Sequence, residues 1–276
     1  LLVTDEPPLL AAGLRFVLAG LLLFAFAWWR SGPPRLSRAE IGHVVAVMAG
    51  TIVVSNGCNV LAMQHVASNV AALLNVTPAL WIAWLGTCGP RAAALTRRSK
   101  AGIALGFAGT ALVLTPGPGG SYFTALGWQL VILVGCVGWS LGTVFLRNAR
   151  TENAPTMFLA LQMLAGGLAL VGLAAAVGEP LAMRFTPTST AAFLWLTLMS
   201  SCLAYSAYHY LALHTTPVVV GTYAYVNPAI AAVLGWAVLD ERLSALQLAG
   251  MAVILLAVAL VAGYLGPARR RTQPAA

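Results

Sequence analysis

Apolar residues fall in nine long runs separated by short polar breaks, at residues 9–29, 39–64, 68–88, 101–115, 125–146, 155–177, 190–211, 217–238 and 244–265. Each run approaches the ~20 residues that carry an α-helix across ~30 Å of hydrocarbon. The run at 101–115 is short and gains length if its helix begins near Arg98. No run alternates apolar and polar residues with the period of two that a membrane β-barrel requires. The pattern predicts an all-α membrane protein, a helical bundle with nine visible spans.

The runs also repeat. Residues 61–79 (LAMQHVASNVAALLNVTPA) align with 211–229 (LALHTTPVVVGTYAYVNPA) at a constant offset of 150, with Pro78 over Pro228. Upstream, the segment beginning at Arg15 matches the one beginning at Gln162, and downstream Gly102 and Gly109 match Gly250 and Ala257. The common order of these matches across four helices predicts two related units, 1–117 and 124–266, followed by a basic tail at 267–276. The second unit has five runs and the first has four, the run at 125–146 lacking a counterpart. Since residue 1 is also not methionine, the expectation is an N-terminally shortened form of a ten-span chain. Five spans per unit turn one unit upside down relative to the other. Inverted repeats of this kind hold the substrate near the membrane midplane, between the units.

Composition and charge refine this picture. Of the 276 residues 60% are apolar and 8% charged, where a soluble domain carries about 25% charged residues. The net charge of +8 raises the question of nucleic acid, but its distribution answers otherwise. With Leu1 outside, twelve of the fifteen cationic residues lie in inside loops or the tail: Arg30, Arg35, Arg38, Arg91, Arg97, Arg98, Lys100, Arg147, Arg150, Arg269, Arg270 and Arg271. Arg184 and Arg242 lie outside and Arg15 within a span, so the positive-inside rule places the C-terminus in the cytoplasm. Cys58, Cys88, Cys136 and Cys202 show no metal-ligand or disulfide spacing and read as packing thiols. No cofactor or metal is expected, and no cleavable signal peptide is visible.

Polar side chains within hydrocarbon are costly unless they pair or face water, which makes them candidates for function. Ser55, Asn56 and Asn59 share one helix face in the outer half of their span, and their counterparts Tyr205, Ser206 and His209 lie in the inner half. Two such clusters suit two gates around a central site. They equally suit hydrogen bonds between helices, worth ~0.6 kcal/mol each. Pro78 and Pro228 each remove a helical hydrogen bond and free a carbonyl near mid-span. Thr77 and Asn227 precede them, and Trp81 and Tyr225 add aromatic surface close by. A kinked polar point in each unit marks the expected cavity, with helix curvature alone as the other role for the prolines.

Trp139 lies mid-span, where it either stacks on a substrate or fills space beside Gly138 and Gly142. The Gly138-xxx-Gly142 and Gly102-xxx-Gly106 spacings predict close helix contacts. Arg15 is the fixed charge within a span: it either meets a substrate carboxylate or serves structure, by snorkelling or by pairing with a carbonyl. No Asp or Glu lies deep in a run, leaving His209 as the titratable candidate for proton coupling. Ser206 and His209, with Ser201 nearby, are pieces of a nucleophile–base pair, but no orienting carboxylate accompanies them. No residue is assigned a catalytic role, and the chain does not read as an enzyme.

The stretches PPLLAAGLRFVLAG (7–20), GCVGWSLGTVFLR (135–147), TYAYVNPAIAAVLGWAVLDERL (222–243) and QLAGMAVILLAVAL (247–260) resemble the drug/metabolite transporter superfamily, EamA branch. The resemblance covers essentially the whole chain and implies two EamA repeats in a ten-helix fold that moves small molecules by alternating access. The expected function is secondary transport out of the cytoplasm across a bacterial inner membrane, with amino acids or similar compounds as substrates. Multidrug, nucleoside or nucleotide-sugar transport is the alternative within the class, and a non-transporting scaffold the alternative outside it. The expected partners are a small-molecule substrate and the lipid bilayer, with no nucleic acid.

Overall fold

The computed structural model describes residues 6–85, 87, 96–114, 122–214, 230 and 244–262. Eight helices lie within them: α1 (Pro8–Ser31), α2 (Arg38–Ala62), α3 (Ser68–Leu85), α4 (Arg97–Val113), α5 (Tyr122–Asn148), α6 (Pro155–Ala176), α7 (Pro187–His214) and α8 (Ala245–Ala262). Six segments, α1 to α3, α6, α7 and Leu126–Asn148 of α5, are long and apolar enough to cross a membrane. Eight of the nine expected runs coincide with these helices. The run at 217–238 lies outside the described residues.

Local chemistry sets the helix starts. Proline opens α1, α6 and α7, where its missing N–H is no loss. Ser37 and Thr96 cap α2 and α4 by accepting from the amides of Glu40 and Ser99. Thr186 and Ser189 form a reciprocal capping box on α7.

Small residues then set the packing. α1 crosses α6 antiparallel, with Gly13 against Val171 and Gly20 against Leu164. A methyl group added at Gly167 would lie 2.7 Å from the Val17 amide nitrogen, closer than any side chain tolerates. α4 and α8 cross the same way, Gly102 meeting Ala257 and Gly250 meeting Val113. α5 runs antiparallel to α2 along a glycine seam, where Gly138 and Gly142 face Gly50. The glycine spacings around 102 and 138 therefore serve close helix contact. Without a hydrophobic force between helices in lipid, such approach supplies the packing energy.

Two helices depart from regular α geometry at related places. Residues Ala49–Val54 of α2 and Leu196–Ala204 of α7 wind as π-helix. In each helix a threonine hydroxyl bonds back one turn: Thr51 to the Val47 carbonyl and Thr197 to that of Phe193, both at 2.8 Å. Such back-bonding loosens the regular ladder. α3 breaks at Asn75–Thr77, dividing into Ser68–Leu74 and Pro78–Leu85. Pro78 cannot donate to the Leu74 carbonyl, which instead accepts from the Thr77 amide at 3.0 Å, with the Cys136 thiol 3.5 Å away.

Candidate functional site

The breaks in α2, α3 and α7 converge on one cavity of about 470 Å³. Its mouth lies at the end of the bundle where α1 begins and α2 finishes, among Pro8, Met63 and Ser68. Its deeper wall carries Asn75, Pro78, Trp139 and Tyr205. The size falls in the range that small-molecule sites occupy.

Its polar side chains form two hydrogen-bonded groups. The π-turn of α2 leads directly into Ser55 and Asn56, and that of α7 into Tyr205. The Asn56 amide donates to the Tyr205 hydroxyl at 2.7 Å and to the Thr51 carbonyl at 2.9 Å. Arg15, two turns into α1, donates to Asn56 Oδ1 at 3.3 Å, and its guanidinium lies 4.6 Å from the centre of the Phe16 ring. Asn75 donates to Asn59 Oδ1 at 2.8 Å, and Asn59 Nδ2 donates to the Ser55 carbonyl. Tyr205 packs edge-on against both Phe16 and Trp139. The arrangement offers amide and hydroxyl groups, one guanidinium and an aromatic wall around a space open at one end.

Beyond Tyr205 the described residues pack against one another. The Tyr208 hydroxyl accepts from Trp139 Nε1 at 3.0 Å and pairs with Thr143 Oγ1 at 2.9 Å. Val44, Val47, Leu146, Phe158 and Ala212 pack together there. Nearer the surface, the Glu40 carboxylate accepts from Thr151 Oγ1, the Glu152 amide and Asn153 Nδ2, while the Asn153 side chain also bonds the Arg35 backbone. At the mouth end, Glu6 accepts from the Arg184 amide and Ser189 Oγ, and Glu179 accepts from the amides of Leu9 and Leu10.

The structure divides the expected site residues. Arg15, Ser55, Asn56, Asn59, Pro78, Trp139 and Tyr205 line the cavity. The expected separation of the two polar clusters by depth gives way to contact, since Asn56 and Tyr205 bond directly. Thr77, Trp81, Ser206 and His209 lie off the cavity wall. Thr77 is fully buried where α3 breaks. Trp81 faces an apolar groove between α2 and α5, with Leu133 and Val137. His209, four residues beyond Tyr205, faces α6, its Nε2 lying 3.3 Å from Gln162 Nε2. Ser206 is half-buried. Tyr225, Asn227 and Pro228 lie outside the described residues.

Asn75, Tyr208 and Gln162 were not foreseen. Asn75 had a signal, for it is the repeat counterpart of Tyr225 and sits one turn before Pro78. Among the described residues, no three His, Cys, Asp or Glu side chains gather as a metal site.

Known proteins are similar to this chain in sequence and in fold. The EamA-like transporter family pattern matches residues 1–115 and 126–263. The uncharacterized inner membrane transporter YedA of Escherichia coli (strain K12) is 33% identical over 282 residues, covering 99% of this chain and 88% of YedA. The uncharacterized transporter YvbV of Bacillus subtilis (strain 168) is 26% identical, covering 93% and 83% of the two chains. One solved crystal structure superposes with a TM-score of 0.69 at 18% identity, covering 94% of this chain and 88% of that one, a likeness of fold. With apolar helices of membrane length and a polar cavity between them, this chain belongs to the EamA-like transporter family and is a multi-pass membrane transporter of small molecules.

Proposed function

We propose that the chain exports amino-acid-like metabolites from the cytoplasm by alternating access between two inverted repeats. The carrying observation is the cavity, open at one end and, among the described residues, closed at the other by Tyr208, Trp139, Thr143 and Phe158. Alternating access needs a site with one closed side that can open.

The antiparallel crossings of α1 with α6 and α4 with α8 support the inverted repeat, because each helix meets the one it matches in sequence. The carboxylate contacts support it too. Glu40, early in α2, holds the loop before α6, and Ser189, early in α7, bonds Glu6 in the segment before α1. Arg30, Arg35, Arg38, Arg147 and Arg150 cluster at the sealed end, which favours placing that end in the cytoplasm of a bacterial cell. The mixed amide, hydroxyl and aromatic lining suits a small amphipathic solute. A nucleotide-sugar site would carry several cations, whereas Arg15 is the one cation among the described residues of this wall.

The test is flux through the purified chain in proteoliposomes, screened with amino acids, nucleosides and cationic drugs, with and without a proton gradient. Saturable amino-acid flux is expected. Flux of nucleosides or drugs alone would overturn the substrate class, and no flux of any probe would overturn the transport mechanism.

A further inference from the structure

Arg15 is 8% exposed, well inside a spanning helix and on the cavity wall. A guanidinium carries five N–H donors in a planar fork and cannot shed its charge. Among the described residues a single side-chain hydrogen bond, to Asn56 Oδ1, engages it. No carboxylate pairs with it among the described residues. Glu6, Glu40, Glu152 and Glu179 are each occupied elsewhere, with backbone amides or hydroxyls near the two ends of the bundle. The described cavity lining contains no acid, so those described walls hold one net positive charge. In a low-dielectric site an uncompensated cation attracts an anion strongly, and a guanidinium matches a carboxylate edge in bidentate fashion.

The wall beside Arg15 has the remaining features of such a site. Ser55, Asn59 and Asn75 present amide and hydroxyl groups within the same cavity, and Trp139 and Tyr205 present ring faces and edges. The Asn56 bond holds the guanidinium and couples it to Tyr205 on α7. A ligand drawing on Arg15 would therefore also bear on the contact between α2 and α7.

We propose that Arg15 is the carboxylate-recognition group of this cavity, so that transported molecules carry a free carboxylate. This rests on the cavity being the transport site and narrows what it accepts. Loss of the carboxylate from a substrate leaves the buried charge without its partner, which disfavours amides, esters and simple amines.

Counterflow in proteoliposomes tests this with L-phenylalanine and L-threonine against their carboxamides. Wild-type protein should prefer each acid to its amide by about tenfold or more, the size of one charge-assisted hydrogen bond. In Arg15→Gln the acid-to-amide ratio should fall towards one, and in Arg15→Lys it should stay well above one. A purely structural Arg15 would lower acid and amide flux together, with the ratio unchanged. Equal wild-type flux of acids and amides overturns the carboxylate assignment, leaves transport standing and requires no variant to fold. Absence of flux for both members of both pairs overturns the assignment together with the amino-acid reading.

Discussion

The two ends of the bundle are built from matching parts and differ in what fills them. At each end a carboxylate ties the start of one long helix to the segment leading into another: Glu40 with Thr151–Asn153, and Glu6 with Arg184 and Ser189. At the mouth end, Ala11 lies on the cavity wall. At the other end, the position aligned with it carries Phe158, fully buried. Asn59 on the cavity wall corresponds to His209, which turns to Gln162. Side-chain volume and pairing at aligned positions thus differ between the two ends.

Exchanging those volumes breaks the comparison most severely. Phe158→Ala should cost about 3–5 kcal/mol, as for other large-to-small changes at fully buried positions. Thermal unfolding in detergent measures that loss. A cysteine placed at buried Ala212 should react with a water-soluble maleimide far faster in this background than in the otherwise wild-type chain, with the native cysteines removed. The reverse change, Ala11→Phe, puts an aromatic ring into a position 2% exposed on the cavity wall. Overpacking there should cost about 1–3 kcal/mol, and substrate flux in proteoliposomes should fall well below wild type.

Smaller changes sharpen the contrast. Tyr208→Phe keeps the ring but leaves Trp139 Nε1 and Thr143 without their shared hydroxyl. The sealed end should weaken by about 1–2 kcal/mol, seen as faster labelling of the Ala212→Cys reporter with little change in melting temperature. Glu179→Gln at the mouth removes a negative charge from the first turn of α1 while keeping one acceptor for Leu9 and Leu10. The loss should be about 0.3–1 kcal/mol, resolved by chemical denaturation, with the Ala212→Cys reporter still protected.

Most helices were legible because lipid imposes one rule on every spanning segment: about 20 apolar residues with internally satisfied backbone. The expected runs at 9–29 and 155–177 became Pro8–Ser31 and Pro155–Ala176. Asn56, Asn59 and Tyr205 were visible as polar exceptions to that rule, and Pro78 as a lost hydrogen bond. The π-turns were not visible, since Ala49–Val54 and Leu196–Ala204 carry no composition distinguishing them from regular helix. They set how Asn56 and Tyr205 present themselves, and so the meeting of two clusters expected at different depths was also hidden. Ser206 and His209 lie off the described cavity wall for a related reason: sharing a helix face with Tyr205 does not specify which neighbour that face meets.

From the sequence alone came the solvent, the helical class and a short set of polar residues in the spans. All of these follow from free energies that act along the chain, residue by residue. Which residues surround the cavity, which end is sealed, and that Arg15 reaches Asn56 with no carboxylate among the described residues to pair with it were decided only by helices packed across one another. Those outcomes depend on distances between segments far apart in sequence, where close approach at glycine seams and the volume of single side chains determine what space remains.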